Sequence, residues 1–396
     1  MNIALLIESF SPSQGGGEAY VTTLARRLVE MGHHVEVFCH RAENVPAAIR
    51  VHHVPAARWP RWRYACSFVR NLQKALREAR SAGRRFDVIH GSGKCLGMNL
   101  YRAGGGVHAV WIEQDLASRS QGWQRTLKYV ERRLDPWTHA MAWIERRQYL
   151  DPRVHIVANS QRVREDIRRW YGVEEQRLSV VPNGVDIERF HPGRRHDRGR
   201  RLRATWGVDS EGKILLFVAN NWRLKGLLPL LDACRLLQEE APRERLRLLV
   251  VGRGRRRHWE RLARQRGIRE LVTFAGPSAT IEDAYAAADL LVHPTFYDPC
   301  ANVCLEALAS GLPVVTTACN GAAELLRDGT AGRVIATPHD HRALASAILS
   351  LLDDDTRERA ALAARRLAER YPLSRHVEEM LRLYERLQQR GAPSPP

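Results

Sequence analysis

The chain has no apolar run long enough to cross a bilayer. No basic segment leads its first short apolar run, residues 2–8, so no secretory leader is expected. It is also short of acid: 44 Asp and Glu stand against 62 Lys and Arg, a net charge of +18. Its seven cysteines lie at positions 39, 66, 95, 234, 300, 304 and 319. Cys300 and Cys304 have metal-ligand spacing, but no second His/Cys pair completes a site. The cysteines therefore read as small core residues of a reducing compartment. No nucleic-acid reader motif accompanies the positive charge, so a nucleic-acid partner is not expected.

What is present fits an α/β protein. A length of 396 residues implies two domains, or three, at ~100–200 residues each. Apolar runs alternate with helical stretches along the chain. The most informative stretch is 289–317. Residues 289–293 read as a buried strand closed by Pro294. Asn302 to Ser310 reads as a nearly all-apolar helix, Gly311 as its C′ residue, and 314–317 as the next strand. Two acids bracket the turn between them, Asp298 in the loop and Glu306 in the second helical turn. A carboxylate on a buried helix is costly unless something binds it, and a pair of sugar hydroxyls would suffice. The site also lies at the C-terminal end of a strand, where open α/β sheets bind ligands. A glycosidase pair fits poorly. Eight residues of straight helix rise ~12 Å, whereas hydrolase carboxyl pairs sit roughly 5–9.5 Å apart. The plainer alternative is that Asp298 caps a turn and Glu306 makes a core salt bridge.

The spacing Asp298-x7-Glu306 within Tyr-Asp-Pro-Cys-Ala-Asn-Val-Cys-Leu-Glu-Ala resembles the E-x7-E signature of retaining glycosyltransferases of family 4. Asp298 departs from that signature by one methylene. The resemblance implies the GT-B fold, two Rossmann-like doubly wound domains facing across a cleft. It implies that Glu306 takes the ribose hydroxyls of a nucleotide-sugar and that Asp298 faces the transferred sugar. Asn302, at the start of the helix, joins the substrate-binding set. Lys225-Gly226 matches the family's Lys-Gly, whose lysine holds the donor diphosphate, with Arg223 as its companion. Gly15, Gly16 and Gly17 match the N-terminal glycine loop over the donor. Asn320 and Gly321, at the start of another short helix, match a segment near the sugar and phosphates. His108, after three glycines, matches a cleft histidine that reaches the sugar. Glu8 and Glu18 are further possible cleft carboxylates. Residues 181–192 resemble the inter-domain segment, with Asn183-Gly184 a turn that positions it.

These matches imply an acceptor domain at 1–185, a linker at 186–210 and a donor domain at 211–373. A helix at 374–390 packs back on the first domain through Leu381, Leu383, Tyr384 and Leu387. Residues 391–396 are expected to be disordered. Asp353-Asp-Asp355 could be an Asp-x-Asp metal motif, but its place between two helical stretches suits an N-cap. No metal or other cofactor is expected, because Lys225, Arg223 and helix N-termini would stabilise the leaving diphosphate.

From Arg119 to Leu150, Arg125, Lys128, Arg132, Arg133, Arg146 and Arg147 interleave with Trp123, Tyr129, Trp137, Trp143 and Tyr149. That mixture suits an anionic membrane surface, unless the aromatics pack inward. This region and residues 93–103 resemble lipopolysaccharide core glucosyltransferases. The resemblance implies transfer of glucose from UDP-glucose to an inner-core heptose of a lipid-linked acceptor, on the cytoplasmic face of the inner membrane. A different nucleotide-sugar with another polysaccharide or glycolipid acceptor is the alternative. A nucleotide-sugar epimerase and a catalytically silent glycan- or lipid-binding protein are further classes. The motif and the Lys-Gly pair count against both.

Overall fold

Runs of Val, Ile and Leu without alternation make strands buried on both faces, which require helices on both sides of a parallel sheet. The computed structural model describes residues 1–11, 15–119, 122–206, 208, 212–241 and 245–389, apart from the side chain of Gln124. Residues 391–396 lie outside the described range.

The chain divides into two units. The first comprises Met1–Leu116, Ser120–Pro182 and Ser374–Pro396, and the second comprises Ala117–Arg119 and Asn183–Leu373. Strands of the first are β1 (Asn2–Leu6), β2 (Ser9–Phe10), β3 (His34–Cys39), β4 (Arg41–Ala42), β5 (Arg50–His53), β6 (Val88–Ser92), β7 (Leu100–Arg102), β8 (His155–Ala158) and β9 (Leu178–Val180). Seven of them form one sheet in the order β5-β3-β1-β6-β7-β8-β9, and β2 pairs with β4. Its helices are α1 (Gly16–Glu30), α2 (Arg61–Ser81), α3 (His108–Ala117), α4 (Trp123–Leu134), α5 (Pro136–Leu150) and α6 (Gln161–Tyr171).

The second unit begins with α7 (Arg198–Thr205). Its strands are β10 (Lys213–Val218), β11 (Leu246–Val251), β12 (Val272–Gly276), β13 (Leu290–His293), β14 (Val314–Thr317) and β15 (Gly332–Ile335). Its further helices are α8 (Leu227–Glu240), α9 (Arg256–Gln265), α10 (Ile281–Ala287), α11 (Asn302–Ala309), α12 (His341–Leu349) and α13 (Asp354–Ala368). The sheet order is β12-β11-β10-β13-β14-β15. All pairs in both sheets are parallel. Both orders reverse direction once, between β1 and β6 and between β10 and β13. A doubly wound sheet opens its ligand crevice at such a point.

The sheet of the second unit buries both faces. Leu215, Phe217, Leu248 and Val250 face a core shared with α8, α9 and α12. Ile214, Leu216, Leu249 and Leu291 face the one shared with α11 and α13. In the first unit a last helix, α14 (Leu373–Gln389), lays Val377, Met380, Leu381, Leu383, Tyr384 and Leu387 into the core around β1 and α1.

Within the stretch expected to be a linker, two segments are folded. Pro192–Arg195 is a 3-10 turn and Arg198–Thr205 is a helix. Its arginines answer a need in the sheet. Asp289, 4% exposed at the foot of β13, is bound by Arg195, by Arg203 at 2.9 Å and by the Ile214 amide at 2.8 Å. Gly199 packs where a Cβ would come 2.3 Å from the Ala286 carbonyl oxygen. The composition said linker because a Gly/Arg-rich run is normally solvated, and the buried acid ninety residues away overrides that preference.

Burial pushes the Asp289 carboxyl up, but Arg195, the Ile214 amide and Arg203 together hold it below the usual range. Its stabilising contribution is therefore present above the ordinary aspartate value of 3.8 and is lost as pH falls below it. Asp289→Asn removes the carboxylate that pairs with Arg195 and Arg203, and urea denaturation at pH 7 should show a loss of about 3 kcal/mol. That deficit should shrink in titrations carried well below pH 4.

Candidate functional site

The centre of the second unit's site is built from the ends of β10 and β13, the two strands at its switch point. β13 ends at His293 and Pro294 turns the chain. Thr295 then ties the loop down. Its hydroxyl contacts the carbonyls of Leu224 (3.2 Å) and Tyr297 (3.0 Å), while its own carbonyl accepts from Thr317 Oγ1 at 2.6 Å. Phe296 N donates to the Leu224 carbonyl at 2.9 Å. The turn after β10 is thereby stitched to the loop after β13. Gly226, the N-cap of α8, makes the approach possible. Its φ is +86°, and a Cβ there would lie 1.9 Å from the Pro294 carbonyl oxygen.

The stitching delivers Lys225 to Asp298. Lys225 Nζ lies 2.6 Å from Asp298 Oδ2 and 2.9 Å from the Tyr297 carbonyl. The pair is not sealed, with side chains 21% and 14% exposed. Burial pushes the Asp298 carboxyl up, but Lys225 and His293 overcome it and hold it well below the usual range. Asp298 is thus ionised at neutral pH. Its main chain is pinned as well: its N–H donates to the Cys319 carbonyl at 3.2 Å, and Gly321 N–H donates to its carbonyl at 2.9 Å.

Asn320 has a bracing role within the protein. It is 1% exposed, and its amide is used inside the protein. Oδ1 accepts from Ala301 N (3.2 Å) and Ala322 N (3.0 Å), while Nδ2 donates to Thr316 Oγ1 (3.0 Å). Asn320 therefore positions the starts of α11 and of the 3-10 turn Gly321–Leu326 and offers no side-chain group to a ligand. Asn302 Oδ1 accepts from Asn183 Nδ2 at 2.6 Å. Asn183, expected only to shape a turn, also donates to the Cys300 carbonyl at 3.1 Å and so secures the same loop.

Glu306 makes no core salt bridge among the described residues. Its Oε2 accepts from the phenol of Tyr285, a fully buried side chain, at 2.7 Å. Burial raises its carboxyl above the usual range, and the Tyr285 bond and Arg189 only partly offset this. A half-buried carboxylate with no salt bridge among the described residues is ready to accept from hydroxyl donors. No side chain caps the first turn of α11, on which Glu306 sits. Arg223 lies exposed two residues before Lys225. Asp353 caps α13 by accepting from Thr356 N at 2.9 Å, and Asp354 pairs with Lys213 at 2.5 Å.

Gly15, Gly16, Gly17 and His108 belong to the first unit. Gly15 is the extended N-cap of α1, and Gly16 and Gly17 begin the helix. The switch point between β1 and β6 carries its own acid–base pair, Glu8 with Lys94. These two, with Gly17, Glu18, Tyr20 and Arg102, line a cavity of about 180 Å³. The Arg102 guanidinium lies 3.7 Å from the centre of the Tyr20 ring. His108 opens α3 and stacks on Trp111, and its N–H donates to Glu145 Oε1 at 2.7 Å. Tyr171 OH donates to Glu145 Oε2 at 2.6 Å. Burial lowers His108 to about 4 and raises Glu145 to about 7. The sequence did not single out His293, Tyr285, Lys94, Arg102 or Glu145. Lys94 and Arg102 flank a run whose glycines were visible, but Tyr285 and Glu145 carry no local signal.

The family model described as Glycosyl transferases group 1 matches residues 212–354, and that described as Glycosyltransferase Family 4 matches residues 14–189. A D-inositol 3-phosphate glycosyltransferase of Kineococcus radiotolerans is 31% identical, covering 96% of this chain and 92% of its own. The chain belongs to glycosyltransferase family 4. Another relative is the lipopolysaccharide glucosyltransferase WaaG of Escherichia coli, 26% identical over 87% of each chain. A crystal structure of WaaG shares the architecture with a TM-score of 0.80 at 25% identity, covering 96% of this chain and 98% of its own. Anabaena HepE with UDP-glucose is a likeness of fold, with a TM-score of 0.67 at 20% identity over 97% and 99% of the chains. The fold is therefore GT-B and the activity that of a glycosyltransferase. Within the family pattern, Lys225 and Asp298 stand together at one switch point.

Glu145 sets a pH test of the first unit. The folded state keeps its proton up to about 7, whereas an ordinary glutamate releases it near 4.5. Folding is thus favoured by this group below 4.5, and the benefit fades as pH rises through about 7. Thermal melts of wild type and Glu145→Gln across pH 4.5–8 should show the wild type losing stability relative to the variant as pH rises. A constant difference would show that Glu145 is not buried as a neutral acid.

Proposed function

We propose that this glycosyltransferase is a retaining, metal-independent hexosyltransferase that moves glucose from UDP-glucose to a heptose of the lipopolysaccharide inner core. The observation that carries the donor half is the Lys225–Asp298 pair at the N-terminal end of α8. Lys225 and the α8 N-terminus hold the diphosphate and stabilise its charge as the glycosidic bond breaks. Asp298, kept ionised, accepts from the sugar hydroxyls. Glu306 accepts from the ribose hydroxyls, and Arg223 adds positive charge beside the phosphates. Attack occurs on the face from which the diphosphate departs, and the departing phosphate oxygen takes the acceptor proton. His108 and the Gly15–Gly17 start of α1 are the substrate-binding candidates of the first unit. Likeness to WaaG supports the acceptor half.

A second acceptor reading has support of its own. The relatives at 30% and 31% identity are D-inositol 3-phosphate glycosyltransferases. The first-unit cavity sets Lys94 and Arg102 beside Glu8 and Glu18, cations for a phosphate next to acceptors for hydroxyls.

Purified protein titrated in EDTA with UDP-glucose, UDP-galactose, UDP-N-acetylglucosamine and GDP-mannose should bind and slowly hydrolyse UDP-glucose selectively. Glu306→Ala should weaken UDP binding by roughly tenfold, the loss of a hydrogen-bonded carboxylate. Asp298→Ala should mainly lower kcat. A fully active Asp298→Ala, or a glycosyl adduct trapped on Asp298, would refute the assigned roles. Heptose-bearing core oligosaccharide and D-inositol 3-phosphate, offered side by side, separate the two acceptors.

The acceptor lipid calls for docking at a membrane, and α4 supports it. Trp123, Leu127, Val130 and Leu134 are 73%, 60%, 45% and 74% exposed, and their spacing makes one helical stripe. Arg125, Lys128, Arg132 and Arg133 lie on the same helix. Not every aromatic of the region faces outward: Tyr149 is fully buried and Trp137 packs against Ile144. No helix among the described residues is long and apolar enough to cross a membrane. We expect peripheral attachment to the anionic cytoplasmic leaflet of the inner membrane. Trp123→Ser with Leu127→Ser should reduce partition onto phosphatidylglycerol vesicles by about tenfold or more. Phosphatidylcholine vesicles should bind neither protein strongly.

A further inference from the structure

One buried polar side chain beside the donor site is unexplained by the roles above. His293 ends β13 and is 1% exposed. Its ring lies over Phe217, with centroids 6.2 Å apart. Nδ1 makes no hydrogen bond in the structure. Nε2 makes none either, but stands 3.4 Å from Asp298 Oδ2. The same oxygen is held by Lys225 at 2.6 Å. One carboxylate oxygen thus has an engaged partner and a second at the edge of reach.

A buried imidazole whose ring nitrogens close no hydrogen bond costs stability. The Lys225–Asp298 pair explains why it could be useful. On the donor assignment proposed above, the diphosphate competes for Lys225. Drawing the ammonium away would leave Asp298, a largely buried carboxylate, without its cation, which is a strongly unfavourable change. We propose that His293 is the standby partner of Asp298, its Nε2–H closing onto the carboxylate when the donor diphosphate draws Lys225 away. His293 is then a positioning residue. It lowers the cost of releasing Lys225 and keeps Asp298 aimed at the sugar.

The groups around the ring support a neutral donor. Burial lowers the imidazole most, Asp298 opposes that, and Lys225 lowers it further. Phe217 on β10 brings no charge, and the Thr316 hydroxyl from β14 is taken up by the His293 carbonyl at 2.8 Å. A neutral imidazole with its proton on Nε2 supplies the hydrogen bond without proton uptake.

The inference separates UDP from UDP-glucose. UDP takes Lys225 and gives Asp298 nothing in return, whereas the glucose hydroxyls of UDP-glucose re-pair it. In His293→Phe, which keeps an aromatic ring over Phe217, calorimetry should show UDP affinity falling roughly tenfold or more, one charge-assisted hydrogen bond. UDP-glucose affinity should fall several-fold less. His293→Gln, whose amide can reach the same oxygen, should recover most of the UDP affinity. A purely structural role would weaken both ligands equally and would not be rescued by glutamine, and that outcome overturns the proposal. If His293→Phe does not fold, nitrogen-15 spectra of the wild type decide. The Nε2 proton should move downfield when UDP saturates the protein, and an unmoved resonance overturns the proposal. Wild type that binds neither ligand would instead refute the donor assignment on which this inference rests.

Discussion

The absence of a side chain at Gly226 is the constraint on which the proposed donor site depends. With φ at +86° and the Pro294 carbonyl where a Cβ would be, the start of α8 can lie directly against the loop after β13. Lys225 is thereby carried to Asp298, and the first turn of α8 is turned toward the same place. The polar stitches from Thr295, Thr317 and Asn320 then fix the loop at several points. A flexible lysine and a short aspartate meet at 2.6 Å because their backbones are held rigidly. This is preorganisation supplied by main-chain packing, and electrostatic catalysis requires it.

The first unit repeats the device with different residues. Glu8 follows β1 and Lys94 follows β6, the two strands at its own switch point, and they pair. In both units an acid–base pair sits where the strand order reverses. Reversal leaves a crevice between the loops that run to opposite faces of the sheet, and polar side chains there can be half-buried without being sealed. Each pair is therefore formed inside the protein yet keeps part of its surface exposed. His293 beneath the donor-side pair is the most buried member of this arrangement.

The large positive charge divides into two populations. Many arginines act inside the protein as staples for carbonyl groups. Arg177 reaches the carbonyls of Tyr149 and Val154, and Arg365 those of Ile187, Phe190 and Ala309. A guanidinium with five donors can satisfy several acceptors at once, which suits loop ends where carbonyls converge. These arginines contribute to the net charge but do not signal a partner. The cations of α4 differ, because they share a helix with an apolar stripe that nothing in the described protein covers.

The sequence by itself determined the local elements and the spacing of the donor motif. Residues 227–240, 246–251 and 314–317 have the ends expected of them. Apolar runs, Gly311 after α11 and Asp353 before α13 are local signals, and local signals survive folding because they act within one or two turns. Tertiary structure decided the rest. It turned a Gly/Arg-rich run into a helix, since Asp289 needed cations. It made the Asn320 side chain a brace for two helical starts and gave Glu306 a tyrosine instead of a salt bridge. It also put His293 beside the Lys225–Asp298 pair. These outcomes depend on groups up to 94 positions apart or on loops and strand ends meeting in space. No periodicity or spacing encodes such a meeting, because burial and hydrogen bonding act on what the fold brings together.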